Sequence, residues 1–82
     1  MAIAAEDLLA GIGGVSNIRD IEDCITRLRI EVADAALVDE AQLRASGAFG
    51  VVIQSDVVQV VIGPEADEVN ARIAALRQEA EA

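Results

Sequence analysis

The clearest pattern in the chain is the alternation of apolar and charged residues over 26–32. The apolar positions of this run are Leu28, Ile30 and Val32. A period of two predicts a strand buried on one face, which puts Arg27 and Arg29 together on the solvent-facing side. A shorter strand is predicted over 17–23. The two strands would form a hairpin with Cys24 at its turn, close to unpaired backbone amides of the kind that bind anions.

A second hairpin is predicted from two runs rich in β-branched residues, 51–54 and 57–62. The serine and aspartate between them form a two-residue turn, which would place Val52 opposite Gln59. Gln59 is a polar side chain in a valine-rich strand. It is either a simple solvent-exposed residue, the more frequent case for glutamine, or a residue that contacts a ligand.

The remaining segments predict three helices. The first covers 3–10 and ends in the glycine-rich stretch 11–14. Asp39 caps the second helix, Gly47 closes it, and the third begins with the Gly-Pro-Glu sequence at 63–65. The order helix, strand, strand, helix, strand, strand, helix predicts an α+β fold, in which a four-stranded antiparallel sheet carries three helices on one face.

Two details of these helices are open to test. The Gly-Ile-Gly-Gly stretch at 11–14 resembles part of a phosphate-binding loop, but it lacks the preceding strand and the remaining spacing of nucleotide-binding motifs, so a helix end is favoured. In the third helix, Glu68 stands four residues before Arg72, a spacing that favours an ion pair. The tail over 78–82 is expected to fray. The apolar stripe of this helix comprises Ala66, Val69, Ile73 and Leu76.

Composition limits the possible functions. The 82 residues fit a single domain, 1–82, without room for a second core. A net charge of -9, no lysine and one aromatic residue exclude a nucleic-acid binder, which needs clustered cations and stacking platforms. The chain has no histidine, which excludes histidine-based catalysis and imidazole metal sites. We therefore expect neither a metal nor a cofactor.

The cellular location follows from similar arguments. A single cysteine allows no internal disulfide, and the amino terminus lacks the basic start of a secretory signal, so the cytoplasm is the expected compartment. No apolar run reaches the roughly 18 residues of a membrane span. We expect any membrane association to go through a partner, without direct insertion.

The candidate chemistry is concentrated around Cys24. A thiol reacts as the thiolate, and the nearby guanidinium groups of Arg27 and Arg29 favour an anion and match the oxygens of a carboxylate or phosphate. The acidic residues Glu22 and Asp23 oppose that effect. The alternative is that Cys24 is a buried core residue and the arginines are merely solvated, and the spacing alone favours this alternative.

As a whole, the chain resembles the IIB domain of the glucose and N-acetylglucosamine branch of the bacterial phosphoenolpyruvate-dependent sugar phosphotransferase system. The resemblance covers roughly 8–75, and its most specific motif is Cys-x-Thr-Arg-Leu-Arg at 24–29. Further matching residues are Gly13, Gly14, Asn17, Ile18, Val32, Asp34, Val38, Asp39, Leu43, Gly47, Ala48, Gly50, Val51, Val52, Gln59, Val60, Gly63 and Pro64.

The resemblance implies a phosphoryl carrier. Cys24 would accept a phosphoryl group from a phosphohistidine of the IIA partner and pass it to a sugar bound by the membrane partner IIC. Thr26, Arg27 and Arg29 match the family residues that follow the phosphorylated cysteine, and Gln59 matches a family position near the site. The resemblance thus implies a phosphotransferase held at the inner face of the cell membrane through IIC. We expect it to be a monomer.

The branch of the family rests on fewer residues. Asp23 departs from the His-Cys pair of β-glucoside and sucrose relatives, and Ile25 is closer to the glucose branch. The segment 59–66 is nearer to N-acetylglucosamine members, so that sugar is favoured and glucose comes next. Two alternatives stay open: a docking or regulatory domain of the same fold, and a thiol redox protein. The intact motif at 24–29 argues against the first, and the lack of a second cysteine argues against the other.

Overall fold

The computed structural model describes residues 3–81. Its helices and strands follow the predicted order, and the α+β fold is confirmed. They are α1 (Ala5–Ile12), β1 (Ile18–Cys24), β2 (Arg27–Val32), α2 (Glu40–Ala45), β3 (Gly50–Gln54), β4 (Val57–Val61) and α3 (Ala66–Glu81). Single turns of 3-10 helix at Val15–Asn17 and Ala35–Leu37 lie in the connections before β1 and α2.

The four strands form one antiparallel sheet in the order β1-β2-β4-β3. The two hairpins therefore lie side by side and join through their inner strands, β2 and β4. Alternate residues of these inner strands are fully buried beneath the helices, and they are Leu28, Ile30, Val32, Val58 and Val60. From the helices, the same core receives Leu8, Ile12, Leu43 and Ile73. Each such side chain contributes about 1.5–3 kcal/mol on burial, so the alternation in β2 and β4 decides which face is covered.

The other face of the sheet presents the intervening residues, and rows of paired residues cross it from β1 to β3. The row next to the β1–β2 turn consists of Cys24, Arg27, Val61 and Gly50. The next row consists of Glu22, Arg29, Gln59 and Val52. We call this the open face. Its β1–β2 half is charged and its β3–β4 half is largely apolar, while the predicted pairing of Val52 with Gln59 is confirmed.

Helix α1 does not end at Gly11, as the glycine-rich stretch suggested, but continues to Ile12. Gly11 is instead a packing position, since a Cβ atom there would lie 2.7 Å from Cδ2 of Leu43 in α2. The helix ends at Gly13, whose φ of 103° is in the left-handed region that glycine adopts without steric cost. The prediction that the helix ends within 11–14 was therefore correct, but the helix ends at Gly13 and not at Gly11.

Two predictions about α3 were wrong, its first residue and its ion pair. The helix begins at Ala66, after a turn at 64–65, and it extends through Glu81, while the fraying of the tail stays a prediction. Residue 82 lies outside the described residues. Arg72 donates to Glu6 Oε2 of α1 at 3.2 Å and not to Glu68, because the packing of α1 against α3 brings a carboxylate from a distant part of the chain within reach.

A buried asparagine forms hydrogen bonds between the segment before β1 and the segment after β2. Asn17, which is only 3% exposed, donates through Nδ2 to the carbonyl of Ile12 at 2.7 Å. Its Oδ1 accepts from the backbone N–H of Asp34 at 2.9 Å. Because Asn17 stands just before β1 and Asp34 just after β2, the bond holds the end of this hairpin that is remote from Cys24.

Candidate functional site

The β1–β2 hairpin places the thiol. Cys24 is the last residue of β1 and pairs with Arg27, the first residue of β2. The prediction that Cys24 lies within the turn was therefore wrong by one position, since the turn consists of Ile25 and Thr26. Being paired, Cys24 has a fixed direction and shares the open face with Arg27. The backbone of a paired residue also moves less than that of a turn residue.

The turn itself has an unusual backbone. Ile25 has a φ of 59°, whereas Thr26 does not have a positive φ. A positive φ at only the first turn residue is typical of a type II′ turn, in which glycine is preferred at that position. A β-branched residue there is a steric outlier, and such strain clusters at functional sites. Ile25 is also 88% exposed, an unfavourable place for a large apolar side chain.

Cys24 is exposed to solvent, so the interpretation as a buried core cysteine is wrong for this residue. An open cavity of about 280 Å³ lies beside it. The cavity is lined by Cys24, Ile25, Thr26, Arg27, Arg29 and Gln59. The structure therefore brings together all five residues that the sequence singled out, and adds Ile25. The exposed apolar character of Ile25 could have been suspected from its place between two predicted strands, but its φ could not.

Arg27 is oriented by a residue from the neighbouring hairpin. Its Nη1 donates to Gln59 Oε1 at 2.9 Å. The Cα partner of Gln59 is Arg29, so the bond runs diagonally across β2 and β4. Gln59 is half-buried and lies beside the thiol through its contact with Arg27. That it contacts a ligand stays a prediction.

Arg29 has a different environment. Its Nη1 lies 3.5 Å from Glu22 Oε1, its partner across the β1–β2 ladder. Both side chains are largely exposed, and such pairs contribute about 0–1 kcal/mol. Among the side chains of residues 3–80 no carboxylate lies within ion-pair distance of Arg27. Arg27 therefore presents its charge to the open face with a neutral partner, while Arg29 is partly compensated by Glu22.

Thr26 fixes the turn through its backbone. Its carbonyl oxygen accepts hydrogen bonds from the N–H groups of Ile62 and Gly63, at 2.9 and 2.8 Å. These two residues directly follow β4. The turn that bears the strained Ile25 is thus anchored to the central strand pair, which limits how far the end of the first hairpin can move.

Asn70 of α3 lies near the thiol, and the sequence did not indicate it. Asp23 precedes Cys24 and pairs with Leu28, which is fully buried, so the side chain of Asp23 is directed to the helix-covered face. There Asn70 of α3 donates through Nδ2 to Asp23 Oδ1 at 2.7 Å. The two residues are 47 positions apart, and no local pattern marks Asn70 as part of this region.

The described part of the chain has neither a metal-binding cluster nor a helix suited to crossing a membrane. The side chains of residues 3–80 include no group of three or more histidine, cysteine, aspartate or glutamate placed to hold a metal ion. None of the helices in this range is long and apolar enough to cross a membrane.

Comparison with known proteins identifies the class to which this fold and site belong. Residues 6–39 match the family described as phosphotransferase system, EIIB. The N-acetylglucosamine-specific EIIB component of Streptomyces coelicolor is 58% identical over 73 residues, which are 89% of this chain and 95% of that protein. The protein is thus a phosphotransferase component.

More specifically, the chain belongs to the EIIB family of the phosphotransferase system. The N-acetylglucosamine-specific EIICB component of Bacillus subtilis is 51% identical over 61 residues, which are 73% of this chain but 14% of that protein. One domain of the IIabc component from Clostridium difficile has a similar crystal structure, with a TM-score of 0.72 and 26% identity, covering 87% of this chain and 75% of that one. The predicted resemblance is therefore confirmed.

Proposed function

We propose that Cys24 is the residue through which this EIIB chain carries a phosphoryl group. The observation that supports this best is the exposed thiol directly across the hairpin from Arg27, on the open face of the sheet. A carrier must be approached in turn by a donor and an acceptor, and a thiol at the tip of a hairpin is accessible to both. The same placement disfavours a purely structural cysteine.

Two successive transfers follow from this assignment, one to Cys24 and one from it. In the first, the Cys24 thiolate attacks the phosphorus of a phosphohistidine on a IIA partner; an S–P bond forms while the P–N bond breaks, and the imidazole leaves with the electron pair. In the second, a sugar hydroxyl oxygen attacks the phosphorus, the S–P bond breaks and the thiolate is restored. The hydroxyl proton passes to a base on the partner that binds the sugar.

The neighbouring side chains supply electrostatic stabilisation. Phosphoryl transfer spreads negative charge over the three equatorial oxygens and depends mainly on positioning and charge. Arg27, held by Gln59, is the better placed donor because no carboxylate of the described residues competes for it. Arg29 would have to exchange Glu22 for the phosphoryl oxygens. We therefore assign Arg27 the larger share of the stabilisation, and Thr26 the role of anchoring the turn.

The relatives also suggest the sugar and the partners. Both curated relatives bear names that specify N-acetylglucosamine, so we propose this sugar, with glucose as the second candidate. The name EIICB of the Bacillus protein combines IIC with IIB, which favours a membrane IIC permease as acceptor site. Residues 1–82 would then work as one EIIB domain, monomeric and without a cofactor, at the inner face of the membrane.

The decisive test is intact-protein mass spectrometry after incubation with phosphoenolpyruvate, the general phosphotransferase proteins and a matching IIA. One added phosphoryl group is expected on the parent chain and none on Cys24→Ser. A thiol-relocation control, Cys24→Ser combined with Ser55→Cys, moves the only thiol to the turn of the β3–β4 hairpin, whose first residue has a similar φ of 54°. That variant should also remain unmodified, because no arginine pair accompanies the new thiol.

The possible outcomes separate the alternatives. Phosphorylation of Cys24→Ser would remove the thiol from the transfer. A parent chain that stays unmodified beside an active and cognate donor would support the docking-domain alternative. If mild peroxide instead gave a trapped sulfenic acid at Cys24 under conditions in which phosphorylation fails, the redox alternative would be favoured.

A further inference from the structure

A single side-chain hydrogen bond joins helix α3 to the thiol-bearing strand, against which the helix also packs. Asn70 Nδ2 donates to Asp23 Oδ1 at 2.7 Å, one residue before Cys24. In the described part of the chain it is the only side-chain hydrogen bond between a helix and β1. Its acceptor is charged and its distance is short, while Asp23 is exposed, so water competes for the carboxylate.

The strand needs such a restraint more than its neighbours do. β1 is an edge strand, paired with β2 alone, and its register shifts near its start, between Ile18 and Asp20. At its other end Cys24 is followed by Ile25, whose φ is in the left-handed region. An edge strand that ends in a strained turn opens more readily than a central one. A tie at Asp23 acts on the last residue before the thiol.

Asparagine at position 70 does not serve the stability of the fold as well as an apolar residue would. Its Oδ1 is buried and has no hydrogen-bond partner among the described residues. A buried and unsatisfied carbonyl oxygen destabilises the folded state, whereas an apolar side chain of the same size would not. The Nδ2 group of the same amide does have a partner, which is Asp23 Oδ1.

The direction of Asp23 adds an electrostatic consequence. Strand pairing directs Asp23 to the helix-covered face, with Leu28, while Cys24 lies on the open face. The Asn70 bond then fixes the carboxylate there, away from the side on which a phosphoryl group would arrive. A carboxylate released from Asn70 could turn towards the sheet edge. There its repulsion would act on both the thiolate and the incoming anion.

We propose that Asn70 is a positioning residue for Cys24: it holds the end of β1 and keeps the Asp23 carboxylate on the helix-covered face of the sheet. The inference deepens the proposed function, on which it rests where it concerns phosphoryl transfer. The effect on the reactivity of the thiol does not depend on the phosphoryl donor and can be measured without it.

The first test variant is Asn70→Leu, which retains the size of the side chain and removes the donor. We expect an unchanged or higher melting temperature, together with alkylation of Cys24 by iodoacetamide that is about two- to fivefold slower at neutral pH. The pH–rate profile of alkylation should move to higher pH, because a carboxylate nearer to the sulfur disfavours the thiolate. The unchanged melting temperature separates this effect from a general loosening of the fold. Gln78→Leu, an exposed polar-to-apolar change on the same helix, is the matched control.

An exchange of the two side chains provides the rescue. Asn70→Asp alone brings two carboxylates together and should slow alkylation at least as much as Asn70→Leu. Adding Asp23→Asn restores the pair with the roles exchanged: the amide at position 23 donates and the carboxylate at position 70 accepts. This double variant should recover the parent rate of alkylation or exceed it. The single variant Asp23→Asn completes the cycle and separates the loss of charge from the loss of the bond.

Each result decides the proposal. It is overturned if Asn70→Leu alkylates at the parent rate with the parent pH profile, or if the exchange fails to rescue while all the variants remain folded. Phosphoryl acceptance from IIA is measured on the same samples and should fall in parallel with alkylation. If the parent accepts no phosphoryl group but the alkylation results hold, the proposed carrier function fails and the role of Asn70 stands.

Discussion

Arg27 Nη1 and Gln59 Oε1, 32 positions apart in the chain, are joined by a 2.9 Å hydrogen bond across the two central strands of the sheet. The bond links the hairpin that bears the thiol to the hairpin whose residues on the open face are largely apolar. It gives the guanidinium a fixed direction without neutralising its charge. A neutral acceptor therefore orients Arg27 and leaves its full charge for an anion at Cys24.

The first prediction concerns this bond. Gln59→Leu retains the size of the side chain but removes the acceptor, so Arg27 loses its orientation, and phosphoryl acceptance should slow by about tenfold, the equivalent of one hydrogen bond to a charged group. The rate is measured by mass spectrometry at short times with a IIA donor. Gln54→Leu, an exposed glutamine at the end of β3, is the control and should react at the parent rate. Equal rates for Gln59→Leu and parent would show that Arg27 needs no orienting partner.

The second prediction compares the two arginines. Arg27→Ala should slow the transfer by about 10²–10³, the usual loss when one donor to a developing anion is removed. Arg29→Ala should cost less, because Glu22 already competes for this guanidinium. Both side chains are exposed, so the melting temperatures should stay close to that of the parent. An Arg29→Ala variant that is the slower of the two would reverse the assignment of roles.

How much of this site follows from the sequence depends on the range of the interactions. The period of two in β2 placed Arg27 and Arg29 on one face, and the two-residue turn set the pairing of Val52 with Gln59, since both are rules of local geometry. A register of this kind propagates along a whole strand. Residues that the sequence separates widely can therefore be placed side by side once two hairpins are recognised.

The features that escaped prediction depend on packing between distant elements. Arg72 has a suitable carboxylate at i−4, yet it bonds to Glu6, 66 positions away, because α1 and α3 are neighbours. Asn70 reaches Asp23 for the same reason, across the contact of α3 with β1. Helical spacing predicts which side chains share a face of a helix. It does not predict which element that face will meet.

The third prediction tests the N-cap of α2. Asp39 accepts a hydrogen bond from the N–H of Gln42 at 3.1 Å, so Asp39→Ala should lower the free energy of unfolding by about 1 kcal/mol. Asp39→Asn retains the acceptor and should stay within a few tenths of a kcal/mol of the parent. Urea titrations of the three proteins measure the difference. A loss of equal size in both variants would point to the charge of Asp39, and not to the cap.

The fourth prediction sets helix propensity against packing. Gly11→Ala should gain up to about 1 kcal/mol from propensity, because the residue lies inside α1. The added Cβ, however, would stand 2.7 Å from Cδ2 of Leu43, which is fully buried and has little room to shift. Overpacking of a core costs about 1–3 kcal/mol, so the net effect should be destabilising. A urea titration that shows Gly11→Ala to be more stable than the parent would mean that α2 can yield at this contact.

The last prediction concerns the acid side of the stability curve. The pKa of Glu6 is lowered from 4.5, first by a hydrogen bond to a backbone N–H and then by the hydrogen bond from Arg72. A carboxylate whose pKa is lower in the folded state contributes stability that is present above its unfolded pKa and is lost as the pH falls through the folded value. Arg72→Leu removes part of that depression. The variant should therefore lose less stability than the parent between neutral pH and the region below 4.5.

Denaturant titrations at neutral pH and at several acidic pH values check this expectation. Glu6→Gln removes the titrating group, and adding Arg72→Leu to it should then have no further effect on the pH dependence. Arg19→Leu, a change at an exposed arginine of β1, serves as the control for lost positive charge and should retain the parental acid slope. If Arg19→Leu and Arg72→Leu flatten the curve equally, net charge accounts for the effect, and the contact between α1 and α3 does not. The contrast between these two arginines isolates the helix–helix contact from the overall charge of -9.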